Sequence, residues 1–541
     1  MKAFRHLPLL LLTVAAASCG SQRYTLHSVA PHRIEVTRAL DATPSARAEA
    51  FVAPFRSGVD SLRAPLVGHS AMFMYGGRPE SLLSNWVADA LVATAGRMGY
   101  RADLGVCNVG GLRAAMPAGE VHRGDILAIS PFENFFTILR MRGSDVEALM
   151  HDIAAVHGEG LSASARLVIT RDGRLKSVTL GGLPINPDSI YTIATLDYLA
   201  EGNDKLTSLK RAVERVNTRQ AVRDMLMEHL ALLEAQGLAA TAQIEGRITV
   251  APEGEAPVAV RQTEVGTASD APITIRQAAA KGKPRTIFIA HTNDTHSCIE
   301  PLSPNLSDTA QADKGGYLRR VALMEQLRKE HPGMLLFDSG DFSQGSAYYS
   351  LYHGDVEVGL MNLMGYDAAT IGNHEFDWGV DNMARIFSLA QFPIVCCNYD
   401  FTGTACEGLV KPYVVLRRGG LRIGVLGVSP QLEGLVAAAT CEGVTYNDPI
   451  AAAQAVATHL REAEKCDLVV CLSHLGWQTS GLSDEELITA THDIDIVLGG
   501  HSHTYFAAPQ TLTNTLGITV PDNQMGKNAR YVGTLELLLS K

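Results

Sequence analysis

Apolar residues fall along this chain in more than one rhythm. ESLLSNWVADALVATAGRMG places them three and four apart and stops at Gly99, which predicts a helix with one buried face. ARLVITRDGRLKSVTL alternates instead on either side of Asp172-Gly173 and predicts two strands joined by a tight turn. AVRDMLMEHLALLEAQG returns to helical spacing and stops at Gly237. Residues 33–250 therefore read as a mixed α+β domain, preceded by a tether at 20–32. Residues 251–284 lose all period and are rich in Pro, Gly, Ala and Thr, so they read as a flexible linker. Its ends would average roughly 30–35 Å apart. From Arg285 to the end at 541, short apolar runs (TIFIAHT, GMLLFDS, DAATIGN, FPIVCCN, LRIGVLGV, CDLVVCLS, IDIVLGG) alternate with helix-like segments. That pattern predicts an α/β sandwich with well-buried strands.

The first nineteen residues stand apart. Lys2 and Arg5 precede a short apolar core, and small residues lead into Cys19. This is the pattern of an export signal. Ala16-Ala17-Ser18-Cys19 resembles a bacterial lipobox, which implies lipidation at Cys19 and a membrane anchor in the cell envelope, periplasmic or at the outer membrane. Composition adds three limits. A chain of 541 residues with 46% hydrophobic residues has material for two or more cores. A net charge of −11 with no basic stripe argues against polymeric nucleic acid as a partner. The eight cysteines after Cys19 lack paired C-x-x-C spacing, so a four-cysteine zinc site is not expected; Cys396, Cys397, Cys466 and Cys471 lie in or beside apolar runs and read as core residues. Neither disulfide pairing nor oligomeric state can be read from the sequence.

The chemistry gathers where the apolar runs of the second half end. They deliver Asn293-Asp294-Thr295-His296, Ser339-Gly340-Asp341, Gly372-Asn373-His374-Glu375-Phe376-Asp377, Ser473-His474 and Gly499-Gly500-His501-Ser502-His503. Strand C-terminal ends are where open α/β folds place ligands. Burying so many Asp, His and Asn side chains is costly unless they are partnered. Mixed imidazole and carboxylate ligands suit Zn, Mn or Fe rather than a thiolate metal. Two such ions about 3.5–4 Å apart can activate a water and clamp both oxygens of an in-line displacement at phosphorus.

D-x-H, G-D, G-N-H-E, H and G-H-x-H, in this order over about 286–540, resemble the calcineurin-like metallophosphoesterases. LLFDSGDFSQGSAYYSLYHGD and IGNHEFDWG resemble their 5′-nucleotidase branch. The resemblance implies a four-layer α-β-β-α sandwich holding two divalent ions, Zn or Mn first, with Mg, Fe or Co as alternatives. Asp294, His296 and His503 would hold one ion, Asp341 would bridge, and Asn373, His474 and His501 would hold the other. His374 would act on the transition state or leaving group, oriented by Asp377, and Glu375 would be structural.

The same family carries a separate nucleotide-recognition domain, which residues 33–250 resemble through ESLLSNWVADAL, CNVGGLRAAMPAGEV, SPFENFF and GGLPINPDSIYTIATLDYLAEGND. This implies that Phe132 and Tyr198 flank a nucleobase, each stacking contact contributing about 1–3 kcal/mol. Asp204 would accept bonds from ribose hydroxyls, and Asn108 and Arg113 would reach substrate oxygens, with Arg78 as a second basic contact. The glycine turn itself suits an anion, through free N–H groups and the guanidinium. Val109, Asn203 and Lys205 stand where the family has glycine. The two domains are also in reverse order. The implied activity is hydrolysis of nucleoside 5′-monophosphates by in-line attack of a metal-held hydroxide. Alternatives at the same site are 2′,3′-cyclic nucleotides, 3′-nucleotides, nucleotide sugars, or di- and triphosphates. Two further readings are a sulfur-compound hydrolase on the same scaffold and an inactive surface-binding protein.

Overall fold

The computed structural model describes residues 23–132, 134–253, 264–276, 283–304, 306, 310–479 and 481–541. Cys19, the export signal and the centre of the expected linker lie outside the described residues. No described helix is long and apolar enough to cross a membrane. The eight described cysteines are free thiols; Cys396, Cys466 and Cys471 are buried and Cys397 is half-buried.

The second half folds around two facing sheets. One has eight strands, in the order Ile273–Thr274, Thr25–Glu35, Tyr531–Ser540, Arg285–Thr292, Leu335–Asp338, Ala368–Ala369, Ile394–Val395 and Val410–Lys411. The other has six, in the order Tyr413–Arg418, Leu421–Val428, Leu468–Ser473, Ile496–Leu498, Thr519–Asn523 and Gln510–Thr513. Ile289, Phe337, Val425, Val470 and Leu537 fill the space between them. Helices Tyr317–Glu330, Asp355–Met364 and Gly379–Leu389 cover the outer face of the first sheet, and Pro449–Glu462 and Asp484–Ala490 that of the second. This is the four-layer α-β-β-α sandwich. Its central strands are parallel, so their C-terminal ends share one edge.

The first half has its own core around Leu91, Phe136, Ile138, Leu149 and Ile193. A five-stranded sheet in the order Glu214–Ala221, Phe135–Arg142, Ile190–Leu196, Leu104–Cys107 and Gly160–Leu161 packs with helices Leu82–Arg97, Gly143–Ala155 and Val222–Ala235. The expected helices end as the sequence indicates, with Gly99 and Gly237 at positive φ just beyond them. The expected hairpin is present, Ala165–Thr170 pairing antiparallel with Leu175–Leu180.

The boundaries differ from the sequence reading in an informative way. Residues 20–32 were expected to be a tether, and the recognition domain to begin at 33. Instead Thr25–Glu35 is a strand of the phosphoesterase-like sheet, paired antiparallel along its whole length with Tyr531–Ser540. Pro31 is tolerated there because the outer neighbour, Ile273–Thr274, reaches only Ser28 and Val29. Helix Ala46–Arg63 then buries Val52 and Val59 in the same body as Val321 and Phe376. The Tyr352 hydroxyl donates to the Phe55 carbonyl at 3.1 Å, and Ser45 to Glu325 at 2.8 Å. The first domain thus begins near Leu66 and is inserted into the other. The described part of the linker is not free either. Glu264–Val265 pairs with Tyr505–Phe506, and Ile273–Thr274 pairs with the N-terminal strand.

Candidate metal centre and recognition cleft

The candidate ligands sit at the shared edge, on loops with unusual backbone. Asp294, His296, Asp341, His501 and His503, five of the seven expected ligands, adopt positive φ between 45° and 68°. Non-glycine residues in that region are uncommon and gather at functional sites. Glycine makes room for the crossing loops. A Cβ on Gly340 would lie 2.6 Å from the Gly372 amide nitrogen, and one on Gly500 would lie 2.9 Å from His474 Nδ1.

Asp294, His296, Asp341 and His503 bring ligand atoms within 4.8 Å of one another. His296 Nε2 and His503 Nε2 are 2.9 Å apart, and His503 Nε2 is 3.5 Å from Asp294 Oδ1. The other three expected ligands adjoin them. His474 Nε2 lies 3.2 Å from Asp341 Oδ2, and His501 Nδ1 lies 3.0 Å from Asn373 Oδ1. The His501 amide donates to both oxygens of Asp294 at 3.1 and 3.0 Å. This donor set fits divalent cations. Burial holds His296, His501 and His503 well below the usual imidazole range, so they keep free lone pairs. Burial also pushes Asp294 up to about 8, a cost that a nearby cation would remove. The His474 Nδ1–H donates to the Ser339 carbonyl at 2.6 Å and turns Nε2 toward Asp341.

His374 stands beside this set without joining it. Its amide donates to Asp341 Oδ1 at 2.9 Å, and its Nδ1 faces Asp377 Oδ2 at 3.0 Å. Burial opposes its charge, but Asp377 and Asp341 together outweigh burial and raise it to about 9. Glu375, expected to be structural, has a defined task. Its buried carboxylate accepts the amides of Asp341 at 3.0 Å, Ser343 at 3.0 Å and Gly372 at 2.6 Å, tying two ligand loops together. The Asn293 side chain, singled out only as part of its run, donates to Asp294 Oδ2 at 2.6 Å and anchors to the Gly526 carbonyl at 2.8 Å. Asp338 and Ser339 brace the Asp341 loop in the same way. These bracing contacts are through-space and leave no local sequence signal.

In the recognition domain, three expected residues converge. Asp204 accepts from the Asn108 side chain at 2.6 Å and from the Tyr198 hydroxyl at 3.0 Å. Lys205, in a family glycine position, adopts φ 65°. Two expectations need correction. The glycine turn does not offer a row of free N–H groups. Val109 donates to Glu159, Gly111 to the Asn108 carbonyl, Leu112 to the Val109 carbonyl and Arg113 to the Ile129 carbonyl. Its capacity for anions lies in the Arg113 guanidinium, which has no hydrogen bond or ion pair among the described residues. Arg78 does not join it. That guanidinium is held by the Gly158 carbonyl and the buried Glu159 carboxylate, so it braces the turn from behind.

The two halves meet at this turn. Arg113 lies over the Phe132 ring at 5.1 Å, and that ring lies 5.9 Å from His374. Gln344 donates across the boundary to the Pro131 carbonyl at 3.4 Å. One chain therefore brings the recognition turn to the candidate metal centre.

Comparison with known proteins agrees with this architecture. The 5′-nucleotidase C-terminal domain family matches residues 67–211, and the calcineurin-like phosphoesterase family matches residues 288–505. The 5′-nucleotidase of Rattus norvegicus is 30% identical over 270 residues, covering 46% of each chain. An apyrase of Tabanus yao is 32% identical over 270 residues, covering 46% of this chain and 48% of its own. The chain spans about half the length of the curated relatives it matches. Among solved structures, the 5′-nucleotidase precursor from Thermus thermophilus has 31% identity and a TM-score of 0.42, over 47% of this chain and 51% of that one. The chain thus pairs a calcineurin-like phosphoesterase domain with a 5′-nucleotidase C-terminal domain. The 5′-nucleotidase C-terminal match precedes the calcineurin-like match, the reversed order expected from the sequence.

Proposed function

We propose that this chain is a metal-dependent phosphohydrolase that converts nucleoside 5′-monophosphates to nucleoside and phosphate. The observation that carries the reading is the junction of Arg113, Phe132 and His374 beside the Asp294–Asp341 cluster. Family relatives named 5′-nucleotidase support it. Asp294, His296 and His503 would hold one divalent ion, Asn373, His474 and His501 a second, with Asp341 between. Two ions there would supply Lewis acidity and a nucleophile from water. Arg113 offsets the charge that develops on the phosphoryl oxygens, a preorganised electrostatic effect. Asp377 keeps a proton on His374 Nδ1, which leaves the Nε2 proton for the departing ribose oxygen as its bond to phosphorus breaks. Asp204 accepts from the ribose hydroxyls, Asn108 reaches the substrate oxygens, and Phe132 and Tyr198 flank the nucleobase.

Phosphate release from a panel of nucleotides, with Mn²⁺ or Zn²⁺ and then with a chelator, tests this. Chelator-sensitive release from AMP or UMP is expected. Silence across 5′-, 3′- and cyclic nucleotides would favour an inactive binding protein. The N-terminus supports export and lipid attachment at Cys19; palmitate labelling that survives Cys19→Ala would overturn that part.

A further inference from the structure

The N-terminal strand limits how far the folded body can stand from an anchor at Cys19. Four residues carry the chain from Cys19 to Arg23, where the described residues begin, and fully extended they span at most about 14 Å. Strand Thr25–Glu35 follows at once and is held in the eight-stranded sheet. The Tyr24 amide donates to Asp467 Oδ1 at 3.1 Å, and Thr25 Oγ1 donates to the Ser540 carbonyl at 3.3 Å. A tether this short keeps the Tyr24 end of the sandwich at the bilayer.

That end is opposite the candidate metal centre. Strands Arg285–Thr292 and Leu468–Ser473 start there, and the Asp294 and His474 loops follow their far ends. The eight residues of Arg285–Thr292 put about 25 Å between the two ends. Cations gather at the tethered end. Arg23, Lys283, Arg417, Lys465 and Lys541 are exposed and Arg285 is half-buried. None of these six has an ion pair among the described residues. Arg285 and Lys541 lie over the Tyr24 ring, at 5.1 and 5.3 Å. The nearest acids are occupied. Glu464 accepts from Arg422 at 2.7 Å, and Asp467 accepts the amides of Tyr24 and Arg422. The unpaired acids toward this end, Glu330, Glu462 and Glu536, are fewer than the cations. In a chain of net charge −11, such an end turns toward an anionic surface and the rest of the molecule turns away from it.

We propose that this cationic end is a docking face for the anionic phospholipid headgroups of the bilayer that carries the anchor. It holds the metal centre and the recognition cleft toward the aqueous compartment. Lys and Arg side chains match lipid phosphate, and Tyr24 has the amphipathic ring suited to headgroup depth. Substrates then arrive through water, and lipids of the same bilayer lie out of reach of the site. The proposal rests on the reading of Cys19 as the lipid attachment site.

The test places the acylated full chain in phosphatidylcholine vesicles, with and without phosphatidylglycerol, and follows backbone hydrogen exchange. Phosphatidylglycerol should slow exchange at residues 417–422 and 464–467 at least about threefold and leave residues 293–297 and 499–503 unchanged. The variant Arg417→Glu/Lys465→Glu/Lys541→Glu should lose that slowing and keep its nucleotide turnover in detergent. No slowing, equal slowing at both ends, or slowing at the ligand loops alone would overturn the orientation. Slowing that survives the charge reversal would overturn the headgroup contact. The Cys19→Ala chain separates this face from the anchor. It should sediment with phosphatidylglycerol vesicles at low salt but not with phosphatidylcholine alone. Reversing the three charges should weaken that binding at least about a hundredfold, since each Lys or Arg near an anionic surface contributes about fivefold. Equal sedimentation with both lipids would overturn the docking face. A mature chain without an acyl group would end the anchor reading, while sedimentation of the Cys19→Ala chain still decides the cationic face.

Discussion

His374 and Glu375 are neighbours with opposite work. His374 faces the cleft and lies outside the ligand cluster, so His374→Ala should lower turnover by about 10²–10⁴-fold while bound metal, measured by elemental analysis, stays unchanged. A parallel loss of metal would show that it is a ligand instead. Asp377 raises the His374 pKa, so the protonated form persists up to about 9. Activity that needs this proton is present below that value and falls as pH rises through it. Asp377→Asn removes the raising charge, and the basic limb of the pH–rate profile should move to lower pH. Glu375→Ala leaves three loop amides without their acceptor. Metal affinity, read by chelator competition, should fall about 10–100-fold, as for other groups that orient ligands. The candidate ligands are legible in the sequence, because Asp, His and Asn at the ends of apolar runs have few other reasons to be buried. Glu375 was legible as a residue but not as a brace, since its partners are backbone amides of two loops.

At the scale of single elements, the turn after Leu104–Cys107 shows how a recognition loop is held. The amides of Val109, Gly111, Leu112 and Arg113 are satisfied from within and behind, which fixes the place from which Arg113 reaches out. Glu159 is the centre of that support, binding both the Val109 amide and Arg78. Burial pushes its carboxyl up to about 7 even though Arg78 and the Val109 amide oppose the shift. Glu159→Ala should therefore loosen the turn and lower kcat/KM roughly tenfold, with metal content unchanged. Unaltered steady-state kinetics would show that the turn holds its shape without it. Sequence pattern identified this turn and the helices around it, because helical spacing and glycine stops are local. It missed strand Thr25–Glu35. Pro31 breaks its alternation, and its partner lies some five hundred positions away, at the other end of the chain.

For the whole molecule, that missed strand changes what reversed domain order means. A first domain joined to a second by one flexible linker could drift away from the site it serves. Here the recognition domain leaves the sandwich after helix Ala46–Arg63 and returns through the segment that carries Ile273–Thr274. It is an insertion held at two points. A protease site engineered between residues 251 and 264 should separate covalent pieces without separating domains. The N-terminal piece keeps Leu26, Val29, Val36, Val52 and Val59 buried in the sandwich. At about 1.5–3 kcal/mol each, these contribute on the order of 10 kcal/mol, comparable with an association cost of about 4–15 kcal/mol. The full ladder to Tyr531–Ser540 and the Asp41–Arg319 ion pair at 2.7 Å add to that side. Cleaved protein should co-elute as one species in gel filtration at micromolar concentration and keep its nucleotide turnover, parting only in denaturant. Fragments that separate in native buffer would mean that the strand and helix Ala46–Arg63 do not hold the domains, and that Arg113 depends on the covalent connection to reach the metal centre.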